Sequence, residues 1–184
     1  RTLPERDRWG GRSLRAEALA ALAPHLPEDL MAQALGAARM IASDRYRAEA
    51  LAALAPHLPQ DLMAQALVAA RKIRDQDHRA LALAALAPHL PQDLMAQALD
   101  AARKIESAQY RAKALAALAP RLAELPLLEL YPLWRETLPA LARRTRKDLL
   151  ADIRALHPVI HKLGGEEAIA ETARAIIDVG RWWP

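Results

Sequence analysis

Three histidines recur at a fixed interval, with His25, His57 and His89 standing 32 residues apart. Imidazoles in such a column could ligate a metal or respond to pH near neutrality. The next member of the series is Arg121, which cannot ligate but keeps a donor and a positive charge. The column therefore reads as a donor or cation at a helix end, facing free carbonyls and the negative end of the dipole. His78 takes the place of Tyr46 and Tyr110 in the same register, a packing position. His157 and His161 are four apart, the spacing that puts two ligands on one helical face. Between them lies Pro-Val-Ile with no glutamate, and Pro158 disturbs the turn that would align the rings. Glu166 and Glu167 are adjacent carboxylates, but at a helix start they favour the dipole, and sequence neighbours on a helix point apart. Ser13, Ser43 and Ser107 have no histidine–aspartate arrangement, and no G-x-S-x-G occurs. The chain has no cysteine, which excludes disulfides and thiolate chemistry. These residues predict no catalytic group, no bound metal and no cofactor.

The elements that hold these side chains follow from a repeat. RAEALAALAPHLPEDLMAQALGAARMIASDRY from Arg15 is followed by RAEALAALAPHLPQDLMAQALVAARKIRDQDH from Arg47 and RALALAALAPHLPQDLMAQALDAARKIESAQY from Arg79. A fourth copy opens at Arg111 as RAKALAALAPRL. About 23 of the 32 positions are identical in the three complete copies, which implies recent duplication or a consensus design. Each copy reads as two helices. In the second, Ala48, Leu51, Ala55 and Leu58 form the apolar stripe of helix A. Pro56 ends or bends that helix near His57, and Pro59 suits the first turn of helix B, with Asp61 at its positive end. Leu62, Ala66, Ala70 and Ile73 continue the core on helix B, widened by Met63 and Leu67. Ser43, Asp75 and Ser107 precede successive A helices as N-caps. A face this wide needs a neighbour on each side.

Composition agrees. The 184 residues are 53% hydrophobic and only 4% aromatic, with no Phe, which favours helix over sheet. With 26% charged residues the chain can still build a core, so disorder is not expected. No apolar run approaches the ~20 residues of a membrane helix and no signal-peptide pattern opens the sequence, so a cytoplasmic protein is expected. It starts at Arg1 rather than Met, and the expectation is a segment of something longer. The predicted fold is all-α: a right-handed α-solenoid of about five stacked antiparallel helix hairpins. Residues 1–14, with Trp9, Gly10 and Gly11, form a flank or the remnant of a preceding unit, and 15–122 the regular repeats. Residues 123–145, with Pro126, Pro132 and Pro139, form a kinked irregular helix. Residues 146–184 form a diverged capping hairpin, opened by Thr145 and Asp148 and divided at Gly164–Gly165. Pro158 aligns with Pro120 at a spacing of 38. Trp182 or Trp183 is expected to pack over the open end of the core.

Differences between the copies mark candidate surfaces. Helix A varies at Glu17, Glu49, Leu81 and Lys113. Helix B varies at Gly36, Val68 and Asp100, and four residues later at Met40, Lys72 and Lys104. Drift at solvent positions is the plain account. A fixed scaffold whose surface positions tune a partner is the functional one, and the residues nominated for it are Glu17, Glu49, Leu81, Lys113, Val68, Lys72, Asp100 and Lys104. The net charge of +4 and the run Arg143, Arg144, Arg146 and Lys147 raise nucleic acid as the alternative, helped by Arg71, Lys72, Arg74, Arg103 and Lys104. Interspersed acids and scarce aromatics weigh against it.

A helix–turn–helix unit of this length resembles the tetratricopeptide and HEAT classes of α-solenoid over 15–122, and less closely over 146–184. The tetratricopeptide pattern of Trp, Leu-Gly, Tyr and Phe is not met, since Ala and Leu stand there. The ALAALAPHLP…ALxAARxI wording, near-identical in tandem and closed by WWP, resembles repeat arrays of bacterial multidomain signalling proteins. Such arrays often follow a nucleotide-binding switch of the STAND class and act as its sensor; this chain has no GxxxxGK[ST] loop. The resemblance implies a non-enzymatic module for protein or peptide binding, with a ligand-free structural or designed array as a further alternative.

Overall fold

Leucine–alanine stripes make helices throughout the computed structural model, which describes residues 13–182 and shows no strand among them. The order is α1 (Leu14–Leu22), α2 (Glu28–Arg39), α3 (Asp44–Leu54), α4 (Met63–Arg71), α5 (Gln76–Leu86), α6 (Met95–Arg103), α7 (Ala108–Ala123), α8 (Leu127–Ala142), α9 (Arg146–Ala155) and α10 (His157–Trp182). Residues 1–12, with Trp9, Gly10 and Gly11, lie outside the described residues, as do Trp183 and the side chain of Trp182.

The turn inside each copy follows from its two prolines. After α3 the chain tightens into a 3-10 turn, Ala55–His57, because Pro56 has no N–H to continue the α pattern. Leu58 then goes extended (ψ 131°), as a residue before proline prefers, and the same happens at Leu26 and Leu90. Helix B does not start directly after Pro59: a 3-10 turn, Gln60–Leu62, precedes α4, and Gln92–Leu94 precedes α6. In the fourth copy Ala123 replaces the second proline. Leu122 is thereby free to stay helical, and α7 runs through Pro120 to Ala123.

The odd-numbered helices pack in series, α1 on α3, α3 on α5, α5 on α7 and α7 on α9, forming one layer. Helices α2, α4 and α6 each lie against the odd-numbered helix that follows, α8 packs on α6 and α9, and α10 packs on α7, α8 and α9. Alanines at the crossing points, Ala48, Ala50, Ala80, Ala82 and Ala114, are fully buried and let the axes approach. Leu51, Leu54, Leu83, Leu86, Leu115 and Leu118 fill the space between them, each worth roughly 1.5–3 kcal/mol.

A repeated clasp joins one copy to the next. Arg47 donates to the carbonyls of Ile41 (2.9 Å) and Ala42 (3.0 Å), Arg79 to Ile73 (3.3 Å), and Arg111 to Ile105 (3.0 Å) and Glu106 (2.8 Å). The arginine that opens each copy therefore covers carbonyls that the preceding helix end leaves without partners. A second link runs the other way. Asp44 accepts from the N–H groups of Arg74 and Asp75, and Gln76, 32 positions later, accepts from Ser107 N. Ser43, Asp75 and Ser107 stand at the N-cap positions of α3, α5 and α7, as expected. Asp75 caps α5 through His78 N, whereas the side chains of Ser43 and Ser107 make no cap bond.

The clasp at Arg111 differs from the others. Arg111 also donates from Nε to both carboxylate oxygens of Asp152 (2.8 and 3.0 Å), and both side chains are 0% exposed. Arg144 joins the junction by donating to the carbonyls of Arg103 and Glu106. Burial pushes the Asp152 carboxyl above its ordinary range, against the opposing pull of Arg111. Beyond it, Gly165 breaks α10 with φ +62°, a conformation that suits glycine.

Candidate partner-binding site

The side chains that face solvent from the odd-numbered layer come together where the spacing changes from 32 to 38. A trough of about 1040 Å³ opens between α7 and α9, extended by Asp77 of α5 and by His157 and Pro158 at the start of α10. Its floor is small and apolar, with Ala112, Ala116 and Pro120 from α7 and Ala151 and Ala155 from α9. Its walls carry Lys113, Lys147 and Arg154. On α9, Lys147, Ala151 and Arg154 share a face through spacings of four and three. Among the described residues none of these three cations has an ion-pair partner, and Asp77 and Asp148 on the same trough likewise make no ion pair there. A second cavity of about 640 Å³ shares His157 and Pro158 and continues past His161, Lys162 and Glu166.

The nominated residues divide between the two layers. Lys113 lies in the trough. Glu49 is engaged with Arg45 (3.0 Å), and Leu81 is half-buried against the core. Glu17 is exposed on α1. Val68 and Lys72 are exposed on α4. Asp100 holds Lys104 (2.7 Å) and Arg103 (3.4 Å) on α6, and Lys104 raises no free charge there. The helix A set thus lies on the odd-numbered helices, and the helix B set on α4 and α6 and at their C-caps.

The basic run is partly consumed by structure. Arg144 serves the carbonyls of Arg103 and Glu106, and Arg146 lies in the wall of an apolar cavity of about 290 Å³ between α8, α9 and α10, beside Gly180. Arg143 and Lys147 remain exposed. The rings of His25, His57 and His89 make no hydrogen bond, so they do not cover helix-end carbonyls as expected. Their counterpart Arg121 does donate, reaching Leu90 O (3.0 Å). His157 bonds Arg154 O through Nδ1 (3.3 Å) and His161 stands 3.6 Å from Glu166. No group of three or more metal-ligating side chains occurs among the described residues. No helix of the described residues is long and apolar enough to cross a membrane.

Sequence reading missed Arg154, Asp77, Asp148 and the arginine clasps. The clasps had a visible signal, an arginine six residues after an isoleucine at the start of the second, third and fourth copies; the trough had only the four-and-three spacing on α9. Comparison of the chain with protein-family models, with curated proteins and with solved structures returned no match.

Proposed function

We propose that the chain is a non-enzymatic helical-repeat module, a right-handed α-solenoid of about five hairpins, that binds a protein or peptide segment along the trough between α7 and α9. The observation that carries this reading is three cations with no ion-pair partner among the described residues, Lys113, Lys147 and Arg154, set over a floor of alanine and proline. Small floor residues let a main chain approach, and unpaired cations select carboxylates on it. The occupant is therefore an extended acidic segment. Asp77 and Asp148 on the same walls disfavour a continuous phosphate backbone, and Tyr110 is the trough's one aromatic ring. The setting is that of a sensor or scaffold segment of a larger bacterial cytoplasmic signalling protein, as the repeat wording suggests.

A labelled twelve-residue peptide of alternating Glu and Ala, its Gln–Ala counterpart and single-stranded nucleic acid of the same length serve as probes in fluorescence anisotropy. The acidic peptide should bind and the Gln–Ala peptide should not. Each of Lys113→Ala, Lys147→Ala and Arg154→Ala should weaken binding severalfold, about 0.5–1 kcal/mol for a solvent-facing charge contact. Binding untouched by the triple variant refutes the trough. Tighter binding of nucleic acid at near-physiological salt, lost steeply as salt rises, overturns the peptide reading in favour of Arg143 and Lys147.

A further inference from the structure

The repeated sequence supplies an internal control for burial, because the same residue can be compared in successive copies. Leu22 is 53% exposed, whereas its counterparts Leu54 and Leu86 are 0% exposed. Leu30 is 37% exposed against 7% for Leu62 and 6% for Leu94. Ala18 is exposed where Ala50 and Ala82 are fully buried, and Ala37 is half-buried where Ala69 and Ala101 are buried. Ala16 and Ala23, in contrast, are buried like their counterparts in the second and third copies. Among the described residues, no hairpin packs in front of the first copy as the first packs in front of the second. Ala18, Leu22, Leu30 and Ala37 are therefore the face that each later copy presents to its predecessor.

We infer that this end of the stack is an interaction surface whose partner is a helical hairpin of the repeat's own kind. Its first helix would lie along α1 as α1 lies along α3, and its second would pack on α1 as α2 packs on α3. The chemistry of the partner is fixed by the interface already present: alanines at the crossing and leucines beside them, with an arginine clasp and a carboxylate link at the edge. At the other end of the regular copies α9 and α10 cover α7, and the Arg111–Asp152 pair occupies that junction. This inference is independent of the trough, which lies at the other end of the same layer.

The test is an extended chain in which residues 1–14 are replaced by a copy of residues 47–78, in phase with Arg15. Its Tm should exceed that of the unextended chain by several degrees, with the α1 amides better protected from hydrogen exchange. Leu22→Glu should shift the Tm of the unextended chain by less than about 1 °C, as at an exposed site, and that of the extended chain by several times more. Equal effects in both chains, an extended chain that does not fold, or one whose α1 amides gain no protection, overturns the inference. Sedimentation of the unextended chain decides the remaining alternative: a dimer that Leu22→Glu dissolves replaces the hairpin with a second copy as occupant.

Discussion

Asp152→Ala is the substitution that asks most of this structure, because it installs the residue that the regular copies already carry. At the spacing of 38, Asp152 aligns with Ala114, and one copy further back with Ala82. Alanine is thus sterically acceptable at a junction of this kind, yet the fourth junction has no solvent at Arg111. Removing the carboxylate leaves a buried guanidinium with two carbonyl partners, Ile105 and Glu106, and no counter-charge. Breaking a buried pair costs about 3–5 kcal/mol; the surviving carbonyl bonds place this case at the lower end, about 3 kcal/mol. For a chain of this size that lowers Tm by about 6–12 °C. Urea unfolding of the wild type, Asp152→Ala, Arg111→Met and the double variant gives the coupling. The double variant, which carries neither charge, should be more stable than the sum of the singles by about 2 kcal/mol or more, with Arg144 still covering Glu106 O. Additive singles, with coupling under about 0.5 kcal/mol, would refute the claim that the pair acts as a unit.

The remaining predictions concern pH, caps, glycines and the core. Asp75→Ala should cost about 1 kcal/mol while Ser107→Ala stays under about 0.5 kcal/mol, since only Asp75 bonds the helix start. The His78 backbone N–H chiefly, with the His78 side chain, holds the Asp75 carboxyl below its usual range. That cap's contribution is present above the ordinary carboxylate value and lost as pH falls through the lowered one, which acid titration of the two proteins would detect. Gly36→Ala, in open space within α2, should stabilise by about 0.5–1 kcal/mol, and Gly165→Ala, at positive φ, should destabilise by about 1–2 kcal/mol; opposite signs in thermal melts check both. Leu83→Ala in the middle of the stack should cost about 2–5 kcal/mol by the same assay.

Helical class, the paired helices of each copy and their buried stripes were legible because the apolar period repeats in register. Ala48, Leu51, Ala55, Ala66 and Ile73, read as core from spacing alone, are all buried. The 3-10 turns were less legible, since proline announces that a helix ends without saying how tightly the next begins. Ser43 and Ser107 were legible as N-cap positions, but their residue type did not reveal that neither side chain bonds its helix start. Asp152 was hidden in a different way. In LLADIRAL it reads as one polar residue on an exposed helix, and its partner is 41 positions away. Aligning Pro158 with Pro120 does place it on a buried alanine, a conflict that only a buried counter-ion resolves. The trough was illegible because it arises from the interruption of the repeat and not from the repeat itself.

The arginine clasp has a mechanical meaning. Each one fastens the exit of a hairpin to the entry of the next, so a pull on the chain ends loads the same fastening at every copy. Released in turn, each 32-residue unit would yield roughly 110 Å of extended chain, a ladder of equal rungs in a force–extension trace. The rung at Arg111 is the exception, since a buried carboxylate locks it from the far side. Tension would therefore strip the regular copies first and leave α7 to α10 as the last body standing, so the folded remnant is the one that holds the trough.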